Sequence, residues 1–295
     1  MGILYVEYEY WFAVFQLVFA MLGMGATLKI GDFVNVIKRP RAVSVGVLMQ
    51  LLCVPLVAYL FITLAGLTGG VAIGIALIAA IPGGATSNIF TFMAKGSGPL
   101  SISVTAITTL ACLMTTPLIL SVLITDFLPV GFSMPTQQIV IEIGLTLLLP
   151  LLIGMILLRY VSNHAQGISK WSIRVSLFGL ALIIIGSTAA EKIDVDAFGS
   201  ANMMVVCYFV LALTVISWLI PKMLGLVKKD ITAVQMEVVV RNVNLGVLIK
   251  ASMFPLIVGV DNALGDMVLF TILLYGAVQM MVAAVMIAYK RTFST

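Results

Sequence analysis

Apolar stretches of about twenty residues recur along this chain from Tyr10 to Tyr289, each long enough to cross a bilayer as a helix. Only 9% of the 295 residues are charged, where a soluble domain carries roughly a quarter. Hydrophobic residues make up 62%, and mean hydropathy is +1.20. The expected fold class is therefore all-α, a polytopic membrane protein. Every loop is short, so residues 1–295 are expected to form one membrane domain. The first apolar run lacks the pattern of a cleaved leader and is expected to stay as a helix.

Composition also excludes whole classes. The net charge of +4 comes from Lys and Arg in short loops, which is no nucleic-acid signature. Cys53, Cys112 and Cys207 all fall in apolar spans, so a disulfide framework is not expected. The single histidine, His164, is expected in a polar loop, which argues against an intramembrane Ser-His protease. Paired intramembrane aspartates are also lacking, Asp266 standing alone near a span end, so an enzyme is not expected. No segment is long enough for the output domain of a sensor.

The pattern gives nine spans, near 9–28, 42–65, 71–94, 99–124, 137–159, 171–190, 202–221, 231–252 and 267–289. Alternate loops then segregate by charge. One set holds Lys29, Lys38, Arg39, Arg41, Lys95, Arg159, Lys170, Lys222 and Lys290 among others. The opposite set holds Glu7, Glu9, Asp126, Glu191, Lys192, Asp194, Asp196 and Asp261. The positive-inside rule places the N-terminus outside and the C-terminus in the cytosol of a cell's inner or plasma membrane.

Two spans are interrupted. In the third, Pro82-Gly83-Gly84 precedes Ser87-Asn88 in mid-span, where proline removes a donor and glycine weakens the helix. A simple proline kink would also fit. The eighth carries Glu237, Arg241 and Asn242, each costly at bilayer depth. A structural i,i+4 pair between Glu237 and Arg241 would fit as well. Interrupted spans in corresponding places of two halves point to the midplane site of a secondary transporter. Ser101 and Thr105 share a helix face and offer hydroxyls to a hard cation, or bond back to their own helix. Gln50 is a lone amide in the second span.

Met21-Leu-Gly-Met-Gly-Ala-Thr-Leu-Lys29 with Asp32-Phe33, then Pro82 to Asn88, then Glu237 to Asn242, resemble the bile acid:sodium symporter family in order and spacing. The resemblance implies a fold like that of sodium/proton antiporters, with inverted repeats, two crossing broken helices, and core plus panel domains. Its core would take about 42–125 and 202–290, its panel about 9–28 and 137–190. The first sodium site would use Ser87, Asn88, Ser101, Thr105 and Glu237. The second would use Gln50, Glu237 and the main-chain oxygens of Val238 and Val240.

Arg241 departs from the glutamine of bile-acid-transporting members. A guanidinium donates five hydrogens and accepts none, so it cannot ligate sodium. It would either take the second ion's place beside Glu237 or Gln50, or point into the cavity and fork onto an anion. Asn242 would face the substrate. Leu274-Tyr275 replaces a polar pair of the bile acid transporters, and Tyr275 is expected in the cavity wall. Glu142 has no assigned role.

The function expected is sodium-coupled symport of an organic anion, a small carboxylate or sterol-like acid, by alternating access. Its partners would be sodium, the substrate and the lipid bilayer, and the chain would act as a monomer. The alternative is a proton-coupled or uncoupled anion transporter with Arg241 in place of the second sodium.

Overall fold

The computed structural model describes residues 2–29, 31, 40–129, 131–257 and 262–293. Asp32-Phe33, Lys38, Arg39 and Asp261, used in the sequence argument, lie outside the described residues. The elements are α1 (Gly2–Gly25), α2 (Pro40–Leu64), α3 (Gly69–Ala80), α4 (Ala85–Met93), α5 (Gly98–Leu123) and α6 (Thr136–Tyr160). They continue as α7 (Ser162–Ala189), α8 (Ser200–Met223), α9 (Lys228–Val239), α10 (Val243–Met253) and α11 (Ala263–Phe293). Among the described residues, six helices are long and apolar enough to cross a membrane. Each of the nine stretches expected as spans coincides with one of these six, with α1, or with the interrupted pair α3–α4 or α9–α10.

Two helices start well before their apolar stretches. α1 begins at Gly2, so Glu9 lies within the helix and is buried, not in a loop. Its buried face runs Tyr5, Glu9, Ala13, Gln16, Leu17, Ala20, the spacing of one helical side. α7 begins at Ser162, so His164, expected in a loop, stands exposed in its first turn. α7's buried face is a row of small residues, among them Ala165, Ser169, Ser172, Ser176, Gly179 and Gly186. Small residues let helices approach within lipid, and this row packs on α1: a Cβ at Gly179 would meet Gln16, one at Gly186 the Tyr5 ring. A packed face that outruns the apolar stretch extends the helix beyond it.

α1, α6 and α7 pack on one another. α3 packs against α5 and α11, and α9 against α8, α4 and α5. The seam between these groups is formed chiefly by α1 lying on α10.

The two interrupted pairs cross. Gly83 and Arg241 form an antiparallel bridge, flanked by Gly84 N donating to Val240 O (3.0 Å) and Asn242 N donating to Pro82 O (2.9 Å). The halves repeat each other in detail. Thr116 of α5 donates to Ala80 O, the last residue of α3, and Tyr275 of α11 donates to Val239 O, the last of α9. Both bonds are 2.8 Å long and both span 36 residues. An internal repeat is thus written into the hydrogen bonds.

Candidate cation site and substrate cavity

Breaking a helix inside a bilayer frees donors and acceptors that water cannot satisfy. In the first arm, Pro82 has no N–H for Ile78 O, and the chain turns away before Gly83 and Gly84 reach Ala79 O and Ala80 O. The three carbonyls are taken instead by Arg241 Nε (3.2 Å), Arg241 Nη2 (3.0 Å) and Thr116 Oγ1 (2.8 Å). Gly83 N donates to Gln50 Oε1 at 2.8 Å. In the second arm, Arg241 N donates to Gln279 Oε1 at 2.8 Å. A side-chain amide thus receives the central N–H of each arm.

Glu237 stands in the last turns of α9, fully buried beside the crossing. Its Oε1 accepts from Ser87 Oγ at 2.6 Å and from Ser101 Oγ; its Oε2 accepts from Thr105 Oγ1 at 2.6 Å and Gln50 Nε2 at 3.3 Å. Asn88 Oδ1 completes the group, 2.8 Å from Ser101 Oγ and 3.2 Å from Thr105 Oγ1. The five residues expected for the first sodium site therefore come together, drawn from α4, α5 and α9. Thr105 Oγ1 also lies 3.0 Å from Ser101 O, so its one proton is shared between Glu237 and the local carbonyl expected of such a residue. The donor set is all oxygen with one carboxylate, which suits a small hard cation. Among the described residues no three His, Cys, Asp or Glu side chains gather into a transition-metal site.

The crossing has no room for a side chain at Gly83. A Cβ there would stand 2.6 Å from Glu237 Oε2. Opposite it, Gln50 lies in the widened turn Met49–Cys53 of α2, where an i→i+5 pattern interrupts the regular helix. Its Oε1 accepts from both Gly83 N and Arg241 Nη1 (3.1 Å), while its Nε2 reaches Glu237. One amide therefore joins carboxylate to guanidinium.

Of the residues expected for a second site, Gln50 and Val240 O are at the crossing, each already hydrogen-bonded, and Val238 is buried in the last turn of α9. The Arg241 guanidinium bonds Gln50 and the end of α3, and the residue also lines the cavity described below. It sits at the C-terminal, negative end of that half-helix, where a cation is favoured.

A cavity of about 360 Å³ lies between the α1/α7 pair and the crossing. The first turns of α4 and α10 open onto it through Gly84, Ala85, Thr86, Asn242, Val243 and Asn244. Asn242 lines it as expected, while its Oδ1 caps α10 by accepting from Leu245 N. Tyr275 does not belong to the wall. It is fully buried with its hydroxyl committed to Val239 O, and Gly276, Gln279 and Met280 of the same helix face the cavity instead.

Residues 14–196 match the Sodium Bile acid symporter family. The chain belongs to that family. It is 28% identical over 239 residues to the probable sodium/metabolite cotransporter BASS1, chloroplastic, of Oryza sativa subsp. japonica, covering 80% of this chain and 57% of that protein. The chain thus spans little more than half of the rice protein. It is 28% identical over 244 residues to the uncharacterized sodium-dependent transporter YocS of Bacillus subtilis (strain 168), covering 83% and 75%. It is also 30% identical over 185 residues to a sodium-dependent organic anion transporter of Bos taurus, covering 62% and 48%. The family is one of multi-pass membrane transporters, not enzymes.

Sequence reasoning missed four residues. Thr116 and Gln279 looked like ordinary polar residues of apolar spans, and only tertiary packing aims them at the arms. Lys250 was absorbed into the eighth span, yet it is fully buried and pairs with Glu9 of α1 at 2.7 Å. A lysine inside a span, near the face whose loops are acidic, was the signal. Gln16 is buried in α1 and donates to Asn244 O at 3.0 Å. Glu142, left without a role, accepts from Gln138 at 2.8 Å and from Ser252 Oγ of α10's last turn.

Proposed function

We propose that the chain is a sodium-coupled symporter of a small organic anion. The observation that carries this is the Glu237 carboxylate ringed by three hydroxyls, with the Asn88 oxygen beside them. A sodium ion entering the ring meets five hard donors, and the carboxylate offsets its charge where the dielectric is low. The hydroxyls then present their lone pairs to the ion and turn their protons away from it. Val238 and Val240 remain candidates only for a weaker second position.

The substrate's anionic group is assigned to the first turns of α4 and α10, whose positive ends converge on the cavity beside Asn242. A volume of about 360 Å³ is at the low end for ligand pockets, about 300–1,000 Å³, which favours a small carboxylate over a sterol-like acid. Sodium in the ring steadies α4 and α9 against each other and so orders the termini that hold the anion. α2–α5 and α8–α11 act as a core that moves against a panel of α1, α6 and α7, with the N-terminus outside. One chain supplies both the ring and the cavity, as a monomeric transporter requires.

Arg241 favours a stoichiometry of one sodium. Its guanidinium is a tethered cation bonded to Gln50 and to α3's terminal carbonyls. The test is uptake of labelled two- to six-carbon carboxylates into proteoliposomes at fixed pH, with sodium or choline outside. Sodium is expected to drive uptake with a Hill coefficient near one, and to stabilise the purified protein thermally unless Glu237→Ala is present. Uptake indifferent to choline would leave the proton-coupled or uncoupled reading.

A further inference from the structure

Glu9 of α1 and Lys250 of α10 stand one on each side of the seam between panel and core. Their Oε1–Nζ distance is 2.7 Å, and the side chains are 3% and 0% exposed. Tyr5 Oη donates to the same carboxylate oxygen at 3.3 Å. Seven residues further along α1, Gln16 Nε2 reaches Asn244 O. α1 and α10 thus run antiparallel with one polar rung at each end, about 10 Å apart at 1.5 Å per residue. The inner rung borders the cavity, since Asn244 lines it. The outer rung closes the seam towards the N-terminal side of the membrane.

A buried ion pair is a weak adhesive between surfaces that stay together, because apolar packing of equal volume does as well or better. It is well suited to surfaces that must part. When water enters the seam, apolar contacts lose their burial, whereas separated ions regain hydration. A second observation points the same way. Glu9 Oε2 and Gln16 Oε1, both buried on the same face of α1, have no hydrogen-bond partner in the closed seam. Such acceptors are costly in a seam that stays dry and satisfied in one that is periodically wet.

We propose that the Glu9–Lys250 pair is the gate on the N-terminal side of the transport path, and that its opening frees Lys250 to be the first fixed contact of the substrate's anionic group. This rests on the anion-transport reading above and adds to it an entrance and an electrostatic selector. The carboxylate of the substrate takes the place that the Glu9 carboxylate vacates. It then passes down α10 from Lys250 to Asn244 and Asn242, six to eight residues inward. Closure returns Glu9 to Lys250 behind it.

The test needs no identified substrate. In a background with Cys53, Cys112 and Cys207 replaced by serine, Gln16→Cys reports access to the seam in nanodiscs. The probes are two thiol reagents of similar size, sulfonatoethyl and trimethylammonioethyl methanethiosulfonate. Labelling of the parent is expected to be slow. Glu9→Gln should speed it at least tenfold and favour the anionic reagent about tenfold over the cationic. Lys250→Met should also speed labelling but abolish that preference. No acceleration with Glu9→Gln, or an anionic preference that survives Lys250→Met, overturns the proposal. If either single variant does not fold, the swap Glu9→Lys with Lys250→Glu decides: slow labelling with preference reversed supports the gate, unchanged preference overturns it. Failure of sodium-driven carboxylate uptake would remove the transport reading on which the gate rests, whereas the labelling rates test the pair by itself, so the two failures are told apart.

Discussion

Arg241 holds three acceptors, two of them carbonyls left open by the break at Pro82, so its replacement should be felt twice. Arg241→Gln takes away the guanidinium donors of Ile78 O and Ala79 O, while Gln50 Oε1 keeps Gly83 N. Each unsatisfied buried group costs about 1–3 kcal/mol, so a loss of roughly 2–5 kcal/mol is expected in detergent unfolding. The same change removes a fixed positive charge and returns an oxygen to the crossing. Sodium titration of the thermal shift should become steeper, with a Hill coefficient clearly above one. An unchanged coefficient would mean that Arg241 does not stand in for an ion. The sequence made this residue conspicuous, since a guanidinium in an apolar span demands partners. It could not name them, because Ile78 and Ala79 lie 163 and 162 residues away and are exposed as acceptors only by Pro82.

At the scale of the element, the breaks are stabilised by long-range caps of matching design. Thr116→Val and Tyr275→Phe each delete one hydroxyl while keeping most of the shape, leaving Ala80 O or Val239 O unpaired. Each should cost about 1–3 kcal/mol. The caps belong to different arms, so the double variant should be close to additive, and sodium stabilisation should survive in all three. Loss of the sodium response in Thr116→Val would tie that cap to the ion site itself. The broken helices were legible because Pro82-Gly83-Gly84 and Glu237–Asn242 disturb apolar runs locally. Their caps were not, since a threonine or tyrosine in a span has the same local signature whether it bonds its own turn or another helix. The early starts of α1 and α7 were hidden for a related reason: hydropathy marks where lipid is, not where a packed face of small residues ends.

Across the whole molecule, two ion pairs span the same seam at different depths. Lys192–Asp266 lies 3.1 Å apart with both side chains 17% exposed, whereas Glu9–Lys250 is buried. Partly solvated pairs contribute about 0–1 kcal/mol, while removing one member of a buried pair costs about 3–5 kcal/mol. Lys192→Ala is therefore expected to leave the unfolding midpoint nearly unchanged, and Glu9→Ala to lower it clearly. Glu9→Gln with Lys250→Met should recover much of the loss, because no lone charge remains buried. Equal effects of the two single alanine variants would show that depth does not govern this seam.

The reciprocal bonds of the crossing, Gly84 N to Val240 O and Asn242 N to Pro82 O, give it nearly the same aspect from either face of the bilayer. Nothing there acts as a one-way valve. On the symporter reading, a carrier built on such a pivot has no intrinsic direction, and the gradients across the bilayer decide whether it fills a compartment or empties it.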